Sequence, residues 1–185
     1  MVRKFEGNLK LIDLHLTELP FNVLDGLHVT GYFNCNNNRL ISLIGSPKIV
    51  DGSFNCNNNR LPSLEGMTQF IGSDIDISHN RLISLKGCPI KSNGYFDCSH
   101  NKLKTLVGGP EYVVGTFFVS FNNLTSLEGA PKIIEGHFGC SANNLTSLEG
   151  VPKTVGGNFY CGNNPVKFTE EQVRAVCDVR KAVFV

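Results

Sequence analysis

The sequence has no tryptophan, little charge and no long apolar run. Only 18% of its 185 residues are charged, and 17 lysines and arginines against 16 aspartates and glutamates leave a net charge of +1. This balance excludes nucleic-acid binding through bulk positive charge, and 41% hydrophobic residues exclude a wholly disordered chain. The chain has no apolar stretch of about 18 residues that could span a membrane, and residues 1–7 lack the apolar core of a secretory signal. We therefore expect a cytoplasmic protein that does not bind membranes.

Asparagine and glycine are abundant instead, with 20 and 19 copies, and both favour turns over helix interiors. Seven asparagines recur with a period of 21 residues: Asn38, Asn59, Asn80, Asn101, Asn122, Asn143 and Asn164. In most units a leucine follows two residues later, and a large and a small apolar residue precede by five and by three. This alternation predicts a short strand before each asparagine. A buried asparagine at each corner can hydrogen-bond the backbone of two coils, so we expect this column to be structural.

One unit cannot bury its own apolar face, but stacked units can. Each unit is expected to hold a strand of about five residues, a corner at asparagine, an extended return and a Gly-x-Pro turn. We therefore predict a repeat solenoid with a parallel β-sheet on its concave face and an irregular, extended convex side. The single solenoid domain covers 1–185, with an N-terminal cap and degenerate repeat over 1–30, six to seven repeats over 31–166, and a C-terminal helical cap over 167–185.

Both ends of the array depart from the repeat. Near the N-terminus the same register places Ile12 and Leu14 inward. Near the C-terminus residues 169–172 have the pattern of a capping box, which opens a helix. If that helix runs on, Val183 and Phe184 lie on its apolar face. We expect this helix to cover the open end of the core.

The segment Phe138-x-Cys140-x-x-Asn143-x-Leu145 and its counterparts resemble the leucine-rich repeat, L-x-x-L-x-L-x-x-N/C-x-L. The resemblance covers roughly residues 10–166. In most units the first leucine of the consensus is replaced by a valine or isoleucine one residue further upstream. The short, 21-residue repeat is similar to bacterial and bacteriophage members of the family. The resemblance implies a leucine-rich-repeat solenoid, acting in the cytoplasm of the host cell if a phage encodes it.

Five of the seven cysteines share one inward column, in which isoleucine and valine also occur. A position that accepts these three residue types needs a small apolar side chain, which reduced cysteine provides. The column comprises Cys35, Cys56, Cys98, Cys140 and Cys161. Because no C-x-x-C pair is present, we expect core packing in a reducing compartment and no metal or other cofactor.

The outward positions of the predicted sheet differ from unit to unit, while the inward columns stay constant. Such variation on a fixed scaffold is typical of a binding surface, although an ordinary solvated face would vary in the same way. Tyrosine and phenylalanine there could anchor a partner. The predicted partner-binding residues are Tyr32, Asn34, Asp74, Asp76, Tyr95, Asp97, Phe118 and Phe121. We therefore predict a non-enzymatic module that binds a partner protein, such as a host or regulatory factor, on its concave sheet.

A basic ladder offers a second function. Arg39, Arg60, Arg81 and Lys102 follow the asparagine column in four successive units and would span about 15 Å at strand spacing. Such a ladder could follow a few phosphates of a nucleic-acid strand. An acidic protein partner, or a simple solvated face, would explain the ladder as well.

A third function would be metal-dependent hydrolysis. Asp76 and His79 in one unit recur as Asp97 and His100 in the next. Two carboxylates and two imidazoles on neighbouring strands could bind zinc or transfer protons. Repetition alone also brings like residues together, so we do not expect an enzyme.

Overall fold

The computed structural model describes residues 3–185, which form 18 short strands and two helices. In chain order the elements are β1 (Arg3–Phe5), β2 (Leu9–Lys10), α1 (Phe21–Leu24), β3 (Leu27–Val29), β4 (Phe33–Asn34), β5 (Ile49–Val50), β6 (Phe54–Asn55), β7 (Phe70–Ile71), β8 (Ile75–Asp76), β9 (Lys91–Ser92), β10 (Phe96–Asp97), β11 (Tyr112–Val113), β12 (Phe117–Phe118), β13 (Ile133–Ile134), β14 (Phe138–Gly139), β15 (Thr154–Val155), β16 (Phe159–Tyr160), α2 (Glu170–Val176), β17 (Asp178–Val179) and β18 (Val183–Phe184). All pairings are parallel and join successive coils. The predicted repeat solenoid is confirmed.

Each coil contributes two strands, so two faces of the solenoid carry sheets. The even-numbered strands β2 to β18 form one continuous nine-stranded sheet. The odd-numbered strands form a second ladder in two parts, β1 to β7 and β9 to β17. The strands have two residues in most coils, fewer than predicted, because a glycine bend precedes them and a left-handed corner follows. Glycine is needed at that bend, since a Cβ on Gly136 would lie 2.6 Å from the backbone of Gly115.

The core consists of columns that run the length of the array. A large apolar residue at the start of each even-numbered strand from β4 to β16 has no exposed surface, and neighbouring phenylalanine rings lie 5.1 to 5.9 Å apart. This column comprises Phe33, Phe54, Ile75, Phe96, Phe117, Phe138 and Phe159. Full burial of each such side chain contributes about 1.5 to 3 kcal/mol. All seven cysteines are free and buried, which confirms the predicted packing role of the five in the inward column.

The asparagine column satisfies the backbone at the corners. In the second unit of the column, the Asn59 Nδ2 donates to the carbonyl oxygens of Cys35, Cys56 and Asn57 at 3.0 to 3.2 Å. Its Oδ1 accepts the Leu40 N–H at 2.9 Å. The amide therefore joins two coils and leaves few buried polar groups unpaired, as the sequence predicted.

The first coil corrects the predicted N-terminal register. Leu9 pairs with Phe33, 24 residues further on, and Leu9 and Leu11 pack against the core. The prediction that Ile12 and Leu14 point inward was wrong: Ile12 lies on the outer face and Leu14 is 54% exposed. The three extra residues lie in the return segment that contains α1, because the spacing is again 21 where β3 pairs with β5.

The C-terminal cap is a helix followed by two strands. The capping box is present, since Thr169 accepts the Gln172 N–H and the Gln172 side chain accepts the Thr169 N–H. The helix α2 ends at Val176, however, and Val183 and Phe184 form β18 against β16 instead of extending the helix. An extended chain pairs the open edges of β15 and β16, which a helix would leave unpaired. In the described part of the chain no helix is long and apolar enough to cross a membrane.

Candidate binding surface

The outer face of the nine-stranded sheet holds seven of the eight residues predicted to bind a partner. One column of this face consists of Asn34, Asn55, Asp76, Asp97 and Phe118, which pair in register on neighbouring strands. A second column, two residues earlier in each coil, consists of Tyr32, Ser53, Asp74 and Tyr95. Phe121 lies outside both columns. We call the two columns together the sheet patch.

The carboxylates of the first column accept a backbone hydrogen bond that an amide oxygen accepts equally well. Asp76 and Asp97 accept the backbone N–H two residues further on, at 3.0 and 2.8 Å. Asn34 and Asn55 accept the equivalent N–H, both at 3.0 Å, in the preceding coils. The turn therefore needs an oxygen acceptor at this position, and the negative charge of the aspartates is additional to that need.

Tyr95 lies among three carboxylates. Its backbone N–H donates to Asp74 Oδ1 at 2.9 Å. Burial, together with the charges of Asp76, Asp74 and Asp97, raises the pKa of Tyr95 to about 12. Burial also raises the pKa of Asp97, and Asp76 adds to this, against the hydrogen bonds from Ser99. The patch thus disfavours further negative charge and favours a cation.

Residues 3–185 supply no salt bridge to these carboxylates. The ion pairs of the described chain are Lys4 with Glu6, His28 with Asp51, and Arg174 with Glu170, all outside the patch. Lys10 is a cation beside the patch, and its Nζ lies 5.6 Å from the centre of the Tyr32 ring. The charge of the patch is therefore available to another molecule.

A small cavity lies at one end of the patch. Its volume is about 180 Å³, and Tyr32, Asn34, Ser53, Asn55 and Tyr95 contribute to its lining. Pockets that hold whole small molecules have volumes of about 300 to 1,000 Å³. The cavity is therefore suited to a single side chain of a larger partner.

The predicted apolar anchor divides into two separate features. Phe118 is 37% exposed on the sheet patch, where its ring lies over Gly139: a Cβ there would come within 2.7 Å of Phe118 Cδ1. Phe121 is 54% exposed at the corner that follows the strand, and its ring stacks on His100. Only Phe118 belongs to the same surface as Tyr95.

The two histidines of the possible hydrolase stack on each other. The rings of His79 and His100 are 4.2 Å apart and 10° from parallel. Asp76 accepts hydrogen bonds from Ser78 Oγ and from Asn57 Nδ2. In residues 3–185 no group of three or more His, Cys, Asp or Glu side chains is placed to hold a metal ion.

The basic ladder lies on the other side of this corner. Arg39, Arg60, Arg81 and Lys102 are exposed on four successive coils, each directly after a buried asparagine. None of them takes part in the salt bridges formed within residues 3–185. At a strand spacing of about 4.8 Å the four charges extend over roughly 15 Å.

The predicted binding residues did not include Lys10, Ser53 and Asn55, which border or line the cavity. The 21-residue period aligns His79, His100 and Phe121 in one column, but it does not predict that their rings stack. Compared with known protein families and with curated proteins, the sequence matches no family and no single protein.

Proposed function

We propose that this protein is a non-enzymatic binding module that holds a partner protein on the outer, concave face of its nine-stranded sheet. The observation that carries the proposal is the pair Asp76 and Asp97, which bear charge where Asn34 and Asn55 form the same turn without it. Burial raises the pKa of Asp97, so the folded chain disfavours its ionised form. A cation from a partner would offset the cost of ionising Asp97. If no partner were bound there, an asparagine at this position would form the same turn without that cost.

The partner that suits this surface is a basic segment of a protein. A lysine or arginine side chain can enter the cavity that Tyr32 and Tyr95 line, close to the carboxylates around Tyr95. The carboxylates of Asp74, Asp76 and Asp97 would pair with further positive groups. Phe118 offers an apolar contact at the other end of the patch.

The array is further proposed to be a leucine-rich-repeat protein related to the short-repeat bacterial and bacteriophage members. The 21-residue period and the hydrogen-bonded asparagine column support this assignment. Seven free cysteines favour a reducing compartment, and we propose the cytoplasm, that of the host if a phage encodes the chain.

Affinity purification from the native cell, followed by mass spectrometry, tests the proposed surface. The test variant is Asp76→Asn/Asp97→Asn, which removes two charges and keeps the hydrogen-bond acceptors that the turns need. The control is Glu111→Gln/Glu135→Gln, which removes two charges from exposed positions next to β11 and β13 on the other sheet face. Both variants change the net charge by the same amount.

We expect a basic partner that the wild type and the control retain and that the test variant loses. Its binding should weaken with added salt, because exposed charge pairs are screened within about 8 Å at physiological ionic strength. Tyr95→Ala should lose the same partner. Retention of every partner by both patch variants would show that the sheet patch is the wrong surface.

A further inference from the structure

The residue before each member of the asparagine column has a left-handed backbone. The φ angles of this corner column lie between 50° and 58°, and its members are Asn37, Asn58, His79, His100, Phe121, Ala142 and Asn163. Asparagine adopts this conformation readily, whereas a bulky side chain there is strained. Phe121 is also 54% exposed. A strained, exposed ring where asparagine would suffice points to a functional role.

Three successive rings of the corner column form a stack, and the stack ends at Phe121 because the next residue of the column has no ring. His79, His100 and Phe121 are stacked at 4.2 Å and 10° for both pairs of neighbours. Burial, and then the neighbouring His79, lower the pKa of His100, which keeps its ring neutral and able to stack at neutral pH.

The next member of the column is Ala142, whose methyl group stands where a fourth ring would lie, and Asn163 follows. Two steps at the observed 4.2 Å spacing leave room for one planar ring between Phe121 and Asn163. The free face of Phe121 and the methyl group of Ala142 therefore define a slot for a flat, unsaturated ring. We call it the ring slot.

The basic ladder runs beside the stack. Arg81 and Lys102 follow His79 and His100 by two residues, and the ladder continues through the two preceding coils. Cations that track a backbone, combined with rings on which bases stack, are the features of sites for single-stranded nucleic acid.

We propose that a single-stranded nucleic acid lies along this edge of the solenoid, with one base in the ring slot and its phosphates on the basic ladder. The carboxylates of Asp76 and Asp97 repel phosphates from the sheet side of the corner, so the strand follows the ladder side. An aromatic side chain of a protein would also fit the slot, but it would leave four cations without a counterpart. This edge is separate from the sheet patch, and the two proposals can fail independently.

Fluorescence anisotropy with a labelled oligothymidylate of about 12 nucleotides, within the usual range of single-strand site sizes, tests the proposal. We expect binding at low salt, with a slope of log K against log salt of about −2 to −3 for three to four neutralised phosphates. Arg60→Gln/Arg81→Gln should reduce the steepness of that slope by about 1.4. Phe121→Ala should weaken binding by roughly 5- to 150-fold, the loss expected for one stacked base.

Two variants that add the same side chain to the same column provide the matched comparison. Ala142→Phe fills the ring slot and should abolish the contribution of the slot, whereas Asn163→Phe leaves the slot open and adds a second ring face, so its affinity should equal or exceed that of the wild type. Circular dichroism of both variants checks that the array still folds. Absence of wild-type binding at low salt, equal effects of the two phenylalanine variants, or equally tight binding of the duplex would each overturn the proposal.

Discussion

Three consecutive asparagines at one corner allow the structural role of the asparagine column to be tested against its immediate neighbour. Asn59 is buried, and its amide makes four hydrogen bonds of 2.9 to 3.2 Å to backbone groups of two coils. Asn58 is exposed and has a φ of 50°. Replacing Asn59 or Asn58 by alanine removes the same atoms from neighbouring positions of one turn. In Asn59→Ala these atoms belong to the hydrogen-bonded asparagine column, and in Asn58→Ala they are exposed to solvent.

The expected losses differ by several fold. Asn59→Ala leaves the Leu40 N–H buried without a partner, which costs about 1 to 3 kcal/mol, and removes three further hydrogen bonds. All three carbonyl groups keep one other donor: the Asn38 amide at Cys35, the Asn80 amide at Cys56 and the Asn37 N–H at Asn57. The total is therefore roughly 3 to 4 kcal/mol. Asn58→Ala costs about 1 kcal/mol at most for an alanine in the left-handed region, a conformation that Ala142 adopts with a φ of 53°.

Urea unfolding followed by circular dichroism measures both losses, and thermal melts provide a second readout. For a chain of this length each kcal/mol shifts Tm by about 2 to 4 °C, so Asn59→Ala should melt roughly 6 to 16 °C below the wild type. Asn58→Ala should melt no more than about 4 °C below it. Equal destabilisation by the two substitutions would refute the argument that the column stabilises the fold through its hydrogen bonds.

Three further outcomes are expected. Burial raises the folded-state pKa of Asp97, so wild-type stability falls as pH rises through that pKa; Asp97→Asn should therefore melt higher at neutral pH, and the gain should vanish below about pH 3, where the carboxyl is protonated in both states. Burial also raises the pKa of all seven thiols, so mass spectrometry should find iodoacetamide adducts only after unfolding, and labelling of the folded chain at the rate of free cysteine would contradict this. Thr169→Ala should lower stability by about 1 kcal/mol by removing the cap of α2, while Thr169→Ser should not, as chemical denaturation can measure.

The sequence predicts the middle of the array well because every coil repeats the same contacts. An error in one unit would break the period of all the others, so the register of Phe33 to Phe159 is over-determined. The ends lack that support. The segment of α1 has three residues more than its counterparts, and the pair Val183 and Phe184 is too short to distinguish a helical from a strand period. There the unpaired edges of the sheet decide the structure.

The candidate surfaces were predictable to different degrees for the same reason. Alternation along a strand places Tyr95 and Asp97 on the outer face, and the structure agrees. It also led us to group Phe118 with Phe121, although the chain turns between them. Which way a side chain points after a left-handed residue depends on the corner and not on a period of two. The 21-residue period aligns His79, His100 and Phe121, but only the structure shows that their rings stack.

Net charge is a poor guide to what such an array can bind. Repetition along the axis places residues of like charge in the same column, so each surface can carry a charge different from that of the whole chain. The aspartates lie on one side of the corner and the basic ladder lies on the other, so the two nearly cancel in a total of +1. Ladder neighbours are about 4.8 Å apart, well within the screening length of about 8 Å at physiological salt. Neighbouring cations of the ladder therefore act together on a nearby phosphate. Composition thus excludes bulk attraction of nucleic acid, and it leaves a local, salt-sensitive track along one edge fully compatible with the near-neutral chain.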